Sequence, residues 1–535
     1  MPSRSQSAAR GAIRSSANRR TVSWKSFWPS SRKASTAHTP SSRVPAIVRQ
    51  PPCLSTNGRC RPRARGPASR RTEWGRRRAG RTHQQRPNLL PWYHAIRAAY
   101  RNGGVARPGA QSPHIEPCPA YSAGDFVTLL TRRTFLEGLA ASAAVPALGA
   151  GPAHASEPIP VGAIYDLSGP LQGFGQNQWR CAELAIEQIN ESGGLLGRPL
   201  DVKLYDSQSD TQFYNQFANQ LALRDRVAVV QGGLTSSSRE VIRPILRRLE
   251  TLYVYNTNYE GGVCDRNFFA TGATPGIYVD LLLRAAGERW GKRVYVLAAD
   301  YNYGQISAQW IRQAALALGG EVVGEEFFPL DVNQFGATIS RIQAEEPDVV
   351  LNIFVGPAHE AFYGQWASAG MNQRIPMMST TFGGTSEIVR MPPEVVNGIM
   401  VIGSYYESLD YPFNQAWLAE FRRRHGTDYG YLTDVPIKDW YGWMLWAEGV
   451  RQAGTTERDA VIAALETGIS VDGPGGPLTI DARTHHCFMN THLAEARDGE
   501  FRILERHQNV PPTNSADQCD LQVRPDTDTM YTPDI

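Results

Sequence analysis

Between residues 160 and 256, short apolar runs alternate with stretches whose apolar residues recur every three or four positions. The run 161–165 predicts a strand. Residues 179–190, with Trp179, Leu184, Ala185 and Ile189 at helical spacing, predict a helix ended by Gly193 and Gly194. Strands are expected at 200–206, 227–231 and 252–256, with helices at 213–223 and 236–249 between them. Serine hydroxyls at the start of the last helix suit its N-cap. The strand 227–231 is almost wholly apolar, as in a strand covered on both faces, so this βαβα order predicts a parallel sheet with helices on either side.

The pattern then restarts. Helices are expected at 281–290, 306–318, 335–345 and 360–369, and strands at 293–298, 321–327, 349–354, 377–379 and 399–403. Two α/β units of similar size predict two lobes with a cleft between them. Long helices follow at 413–425 and 440–453, a shorter one at 459–466, and late strands at 473–481 and 491–496. Trp440, Trp443 and Trp446, at i, i+3 and i+6, read as helix core. After Val510 the chain is polar and rich in Pro and Asp, a tail expected to pack poorly unless Cys519 ties it down.

Open α/β sheets bind ligands beyond the carboxyl ends of their strands. The loop and helix start at 232–238 lie there, where backbone N–H groups and hydroxyls suit a carboxylate or an amide carbonyl. Tyr259 follows the next strand and is expected at the same cleft. Tyr301 and Tyr303, two apart after the strand 293–298, are expected to turn both rings toward it. Aromatic walls suit amides, ureas and ammonium groups. Val355 and Gly356, after 349–354, and Thr380 and Thr381, after 377–379, complete the second-lobe candidates, and 166–169 is a further candidate in the first.

Charge divides the chain. Residues 1–126 carry 24 Lys and Arg against 3 Asp and Glu, a charge of +21, whereas 127–535 carry 31 against 48, a charge of −17. The basic leader is rich in Arg, Ser and Pro with no sustained apolar period, and reads as disordered, with translation expected to start near Val127. Its Arg-rich run 61–81 is accompanied by no nucleic-acid recognition motif, and nucleic acid is not an expected partner. At 131–136 (TRRTFL) the pair Arg132 and Arg133 is followed by the weakly apolar run 138–151 and a small-x-small site ending at Ala155. That order reads as an export signal resembling the twin-arginine (Tat) consensus, with Glu137 where Lys is common. The run is too short and too rich in Ala and Gly to span a bilayer. A mature periplasmic protein from Ser156, free of a lipid anchor, is expected.

The mature part, about 380 residues, is long enough for two domains. It holds Cys181, Cys264, Cys487 and Cys519, which allow three full pairings. Cys181, beside Ala182 and Ala185, reads as a buried thiol. The preferred pair is Cys264 with Cys519, a loop cysteine with a tail cysteine, and the unpaired state is the alternative. Gly173, Phe174 and Gly175 are followed by Gln178 rather than Gly, so the dinucleotide fingerprint is incomplete. No G-x-S-x-G, Walker A or H-E-x-x-H motif appears. His485, His486, Cys487 and His492 cannot all converge on a metal from one strand, because neighbours face opposite sides. No catalytic residue, metal or cofactor is expected.

Seven stretches carry a family resemblance: 232–239 (GGLTSSSR), 258–262 (NYEGG), 267–275 (NFFATGATP), 300–304 (DYNYG), 319–330 (GGEVVGEEFFPL), 347–350 (PDVV) and 472–477 (DGPGGP), the last followed by His485 and His486. In order and spacing they resemble the type I periplasmic solute-binding proteins of ABC importers, in the urea and short-chain amide branch near the branched-chain amino acid binders. The resemblance covers about 156–510, most of the mature chain. It implies an α/β fold of two discontinuous Rossmann-like lobes, 156–274 plus 408–468 and 275–407 plus 469–510, with a ligand clamped at the hinge between them, followed by the tail 511–535. It implies Ser236 as the first-lobe hydroxyl on the ligand, with Ser237 and Ser238 beside it, and Tyr259 in the pocket wall. It implies capture of a small amide, urea-like or amino-acid solute without chemistry, delivery to a membrane permease, and a monomer or weak dimer. A ligand-sensing regulator of the same fold, like the amidase-operon regulator, is the alternative, and a cleaved export signal argues against it. Two departures stand out. Leu234 replaces an aromatic residue common in short-amide and urea binders, which removes a stacking surface and favours a somewhat larger amide or amino acid over urea. Gly304, where relatives often have Pro, points the same way.

Overall fold

The computed structural model describes residues 157–513 and 518–533. The basic leader and the export signal, Arg132, Arg133 and Ala155 included, lie outside the described residues. The first lobe opens with β1 (Ile159–Tyr165), α1 (Gln172–Glu191), β2 (Leu200–Asp206), α2 (Thr211–Leu223), β3 (Val229–Gly232), α3 (Ser236–Arg248) and β4 (Leu252–Tyr255), followed by two three-residue strands, β5 (Val263–Asp265) and β6 (Phe268–Ala270). Its sheet is parallel throughout, in the order β2-β1-β3-β4-β6. β1, β3 and β4 are buried almost completely, which is why their sequences read as apolar runs rather than alternating ones.

The second unit contains α4 (Pro275–Arg289), β7 (Arg293–Ala299), α5 (Asn302–Ala317), β8 (Glu321–Phe328), α6 (Gly336–Glu345), β9 (Val349–Ile353), α7 (Ala358–Ser368), β10 (Met377–Ser379) and, after the one-turn helices α8 (Glu387–Arg390) and α9 (Pro393–Val396), β11 (Met400–Gly403). These five strands are parallel, in the order β11-β10-β9-β7-β8. The chain then makes α10 (Pro412–His425), α11 (Asp434–Ala453) and α12 (Arg458–Leu465), of which α10 and α11 pack on α1 of the first lobe. It returns to the second sheet through β12 (Ser470–Val471), β13 (Leu478–Ile480), β14 (Cys487–Arg497) and β15 (Glu500–Val510). These strands extend that sheet antiparallel from β11.

Several elements differ from the sequence expectation. α1 begins seven residues before 179, because Gly175 lets the helix start press on the end of β1: a Cβ there would lie 2.2 Å from the Asp166 carbonyl oxygen. α4 and α11 each start six residues early, α4 with Pro275 in its first turn, where a missing N–H costs nothing. The expected strand 473–481 is broken by a tight turn in which Gly473 and Gly476 bond each other, leaving only Leu478–Ile480. β15 and the two short first-lobe strands are additions to the elements that the sequence pattern predicts. The N-cap of α3 is Thr235 rather than a serine, its hydroxyl accepting from the Ser238 N–H at 3.0 Å.

α11 is the main beam against the first lobe. Trp440, Trp443 and Trp446 are buried along it, and Trp440 Nε1 donates to Gln188 of α1 at 2.8 Å. Truncating one such Trp to Ala costs about 3–5 kcal/mol. Gly442 sits where α11 meets the polar ends of two strands: a Cβ there would be 2.2 Å from Asn256 Oδ1 and 2.6 Å from Gln231 Oε1. Beside it the buried Asp439 accepts from Tyr165 at 2.8 Å, Gln178 at 3.0 Å and Asn256 at 3.1 Å.

The tail after Val510 is packed. Cys519 forms a disulfide with Cys264 of β5, and a last strand, β16 (Asp528–Met530), pairs antiparallel with β5. Cys181 and Cys487 are buried free thiols. No helix of the described residues is long and apolar enough to cross a membrane.

Candidate functional site

A cavity of ≈ 40 Å³ lies between the lobes. The first lobe lines it with Phe174 at the start of α1, Leu234 and Ser236 at the start of α3, and Thr257 and Asn258 after β4. The second lobe answers with Tyr301 and Tyr303 at the start of α5, Val355 after β9, and Thr380 and Thr381 after β10, while Val435 comes from the first turn of α11. These positions all follow strand ends or begin helices, where the parallel topology leaves backbone groups facing outward. A smaller chamber of ≈ 20 Å³ continues behind it and shares Asn258, Tyr303 and Thr380.

The polar groups are held in place. Tyr303 and Thr380 share a hydrogen bond at 3.4 Å, and the rings of Tyr301 and Tyr303 are tilted against each other with centroids 5.9 Å apart. Burial pushes the Tyr303 hydroxyl up to about 12, so it stays a neutral donor at physiological pH. Thr257 receives Gln178 Nε2 at 3.2 Å and donates to the Gly233 carbonyl at 3.3 Å. Asn258 accepts from the Ala273 N–H at 2.8 Å and donates to Asp434 at 3.0 Å. Asp434 also accepts from the Tyr278 hydroxyl and, at 3.5 Å, from the Ser404 N–H. Ser236 donates to Glu260, a fully buried carboxylate that pairs with Arg239 at 2.7 Å. The Arg239 guanidinium lies over the Tyr259 ring, 4.4 Å from its centroid. Burial works against the Arg239 charge, but Glu260 and Glu240 outweigh it and raise its pKa.

Of the expected residues, Ser236, Tyr301, Tyr303, Val355, Thr380 and Thr381 are brought together. Four are not part of this cavity. Ser237 points to solvent and bonds Thr235 at 3.0 Å. Ser238 turns inward and donates to the Thr235 carbonyl at 2.7 Å, because the third position of a helix faces away from the first. Tyr259 reaches only the rear chamber: its hydroxyl is bonded to His486 and its ring stacks on that imidazole. Gly356 sits just beyond, against Leu171. Asp166 is turned into the first lobe and receives the Tyr214 hydroxyl. His485 and His486 are structural. The former stacks on Phe269 at 4.0 Å, and burial pushes the latter down to about 4. No group of three His, Cys, Asp or Glu among the described residues could hold a metal.

Phe174, Thr257, Asn258 and Glu260 escaped the sequence reading. The last three lie in the NYEGG segment and its flank, where the tyrosine is the more conspicuous residue. In the sequence Phe174 belongs to the incomplete dinucleotide fingerprint. It supplies an aromatic face to a cavity in which Leu234 had removed one.

The profile of the periplasmic binding protein family matches residues 158–500. The leucine-, isoleucine-, valine-, threonine- and alanine-binding protein of Pseudomonas aeruginosa is 23% identical over 363 residues, 67% of this chain and 92% of that one. A Leu/Ile/Val-binding protein of Rhizobium johnstonii is 28% identical over 227 residues, 41% of this chain and 59% of that one. Among solved structures, an ABC-transporter solute-binding protein of Rhodopseudomonas palustris in complex with 3,4-dihydroxybenzoic acid superposes with a TM-score of 0.60 at 19% identity, covering 66% of this chain and 99% of that one. A leucine-binding protein of Thermotoga maritima superposes with a TM-score of 0.58 at 17% identity, covering 65% and 99%. With the family match spanning both lobes, the chain belongs to the periplasmic binding protein family and is a solute-binding protein, not an enzyme.

Proposed function

We propose that this chain is the periplasmic receptor of an ABC importer and that its solute is a short, uncharged amide. The lobes 156–274 with 408–468 and 275–407 with 469–510 close on the solute by hinge motion and present the closed form to a membrane permease. The observation that carries the amide reading is the lining of the cavity: hydroxyls, one carboxamide, two phenols and apolar faces, with no charged side chain. The acids nearest to it are already engaged, Asp434 by Asn258, Tyr278 and Ser404, and Glu260 by Ser236 and Arg239. An amino-acid ammonium would lose its water there without gaining a free carboxylate, which is costly. A carboxamide needs only neutral donors and acceptors. The cavity of ≈ 40 Å³ supports a solute of few heavy atoms, and Phe174, Leu234, Val355 and Val435 suit a short alkyl tail beyond the amide.

The test is calorimetry and thermal shift on the 156–535 form with acetamide, propionamide, butyramide, urea, leucine, isoleucine and valine. Binding to the folded state raises the melting temperature by mass action. The short amides with a tail should bind and raise it, urea less. Tight binding of a branched-chain amino acid with no response to any amide would overturn the amide assignment.

A further inference from the structure

Glu260 follows β4 in the first lobe, in a turn that the left-handed Gly261 and Gly262 allow (φ 80° and 86°). It is wholly buried and has partners in both lobes. From the first lobe come Ser236 and Arg239, both on α3. From the second comes α5: Asn302 Nδ2 donates to Glu260 Oε1 at 3.3 Å, and Trp310 Nε1 donates to the Glu260 backbone carbonyl at 3.0 Å. α3 and α5 touch across the cleft. The carboxylate therefore bonds the side chains of the first residues of two helices, Ser236 of α3 and Asn302 of α5, one from each lobe.

We propose that Glu260 is the latch of lobe closure: fixed in the first lobe by Ser236 and Arg239, it captures Asn302 and Trp310 of the second lobe as the cleft shuts. α5 belongs to the second lobe, so a change of inter-lobe angle acts on both of these bonds at once. Ser236 and Tyr301 line the cavity, and Glu260 bonds the first while Asn302 adjoins the second, so closing the latch and completing the solute's surroundings are one movement. The inference rests on the solute-receptor reading, and it makes Glu260 a positioning residue rather than a solute contact.

The test uses Asn302→Ala and Trp310→Phe, singly and together. Both residues are only partly buried and stand on the second lobe, so the Ser236–Glu260–Arg239 cluster is untouched. Spin labels at Leu223→Cys and Leu316→Cys, exposed positions in the first and second lobe, report the inter-lobe distance by pulsed electron paramagnetic resonance. The double variant should shift the distance distribution toward the open form, with and without solute, while its melting temperature stays near the parent's. For any solute found in the amide and amino-acid panel, release should speed up by about tenfold with the association rate unchanged. Asn302→Asp, which sets a second carboxylate against Glu260, should open the lobes further. A distance distribution in the double variant equal to the parent's overturns the latch, whether or not a solute is found. If no solute in the panel binds, the amide reading fails, yet the distances still decide the latch.

Discussion

At the scale of single residues, the cavity depends on where Phe174 is allowed to stand. Gly384 is its floor: a Cβ built there would lie 2.2 Å from Phe174 Cε1. The obstructed atom is the far edge of a ring, so Gly384→Ala should leave the fold within about 1–3 kcal/mol of the parent while pushing Phe174 into the cavity. Solute affinity should fall by about tenfold or more, most for the solute with the longest tail, as measured by calorimetry. An unchanged affinity would show that Phe174 does not shape the pocket. A second residue sets a pH dependence. Burial pushes the Asp439 carboxyl up to about 7, against the hydrogen bonds from Tyr165, Gln178 and Asn256 that pull it down. The folded state thus holds this proton more tightly than the unfolded chain, whose aspartates titrate near 3.9. Its contribution to stability is fully present below about pH 4 and is lost as the pH rises through about 7. His486 and His492, pushed down to about 4 by burial, act in the opposite sense, adding stability as the pH rises from about 4 to 6.5. Urea unfolding of the parent and of Asp439→Asn across pH 4 to 8 separates the two, because the histidines cancel in the difference. The parent should lose stability relative to the variant between about pH 4 and 7, and the difference should then level off. A flat difference would mean that Asp439 is not protonated in the folded state at low pH.

At the scale of elements, the disulfide and the tail decide how firmly the first lobe is held. α3 carries Arg239, Arg243 and Arg247 one turn apart, and the tail covers that row. Arg243 pairs with Asp265 at 3.0 Å and with Asp528, while Arg247 reaches Asp265 at 2.6 Å, Asp528 at 3.3 Å and the Thr527 carbonyl at 3.1 Å. Replacing Cys264 and Cys519 by Ser releases a link across 255 residues of sequence and should cost about 2–4 kcal/mol. Reductant should lower the melting temperature of the parent and leave that of the double variant unchanged. Equal sensitivity of the two would locate the reducible element elsewhere. The strands and helices with a clean period were legible in the sequence, since β1, β3, β4 and β9 are apolar runs bounded by glycines or polar loops. β15 was not, although Asp498 and Gly499, both at positive φ, form the two-residue turn that joins it to β14. Its sequence EFRILERHQNV is mixed because much of the strand faces solvent, so the alternation is weak and the turn was the better signal. The tail strand was hidden for a different reason: its core is the α3 arginine row, and ion pairs leave no apolar pattern.

At the scale of the whole molecule, the two-lobe plan could be read because the βαβ pattern starts twice, and the cleft could be located because parallel strands present their carboxyl ends to it. The side chains that join the lobes could not be read. Phe174 against Gly384, and Glu260 against Asn302 and Trp310, are pairs far apart in sequence whose meeting depends on the inter-lobe angle, and no local period encodes that angle. The family match starts at residue 158, directly after the small-x-small site that ends at Ala155, and the −17 charge of 127–535 contrasts with the +21 of the leader. A 127–535 form should therefore be exported and processed to a chain beginning at Ser156, with Arg132→Lys plus Arg133→Lys stranding the precursor in the cytoplasm. The disulfide supplies a second readout in the same experiment. Oxidation of Cys264 and Cys519 belongs to an oxidising compartment, so alkylation and mass measurement should find both thiols free in the stranded precursor and joined in the exported protein. Export of the Lys–Lys form at the parent level would reject the twin-arginine assignment. A disulfide already formed in the stranded precursor would separate oxidation of Cys264 and Cys519 from export.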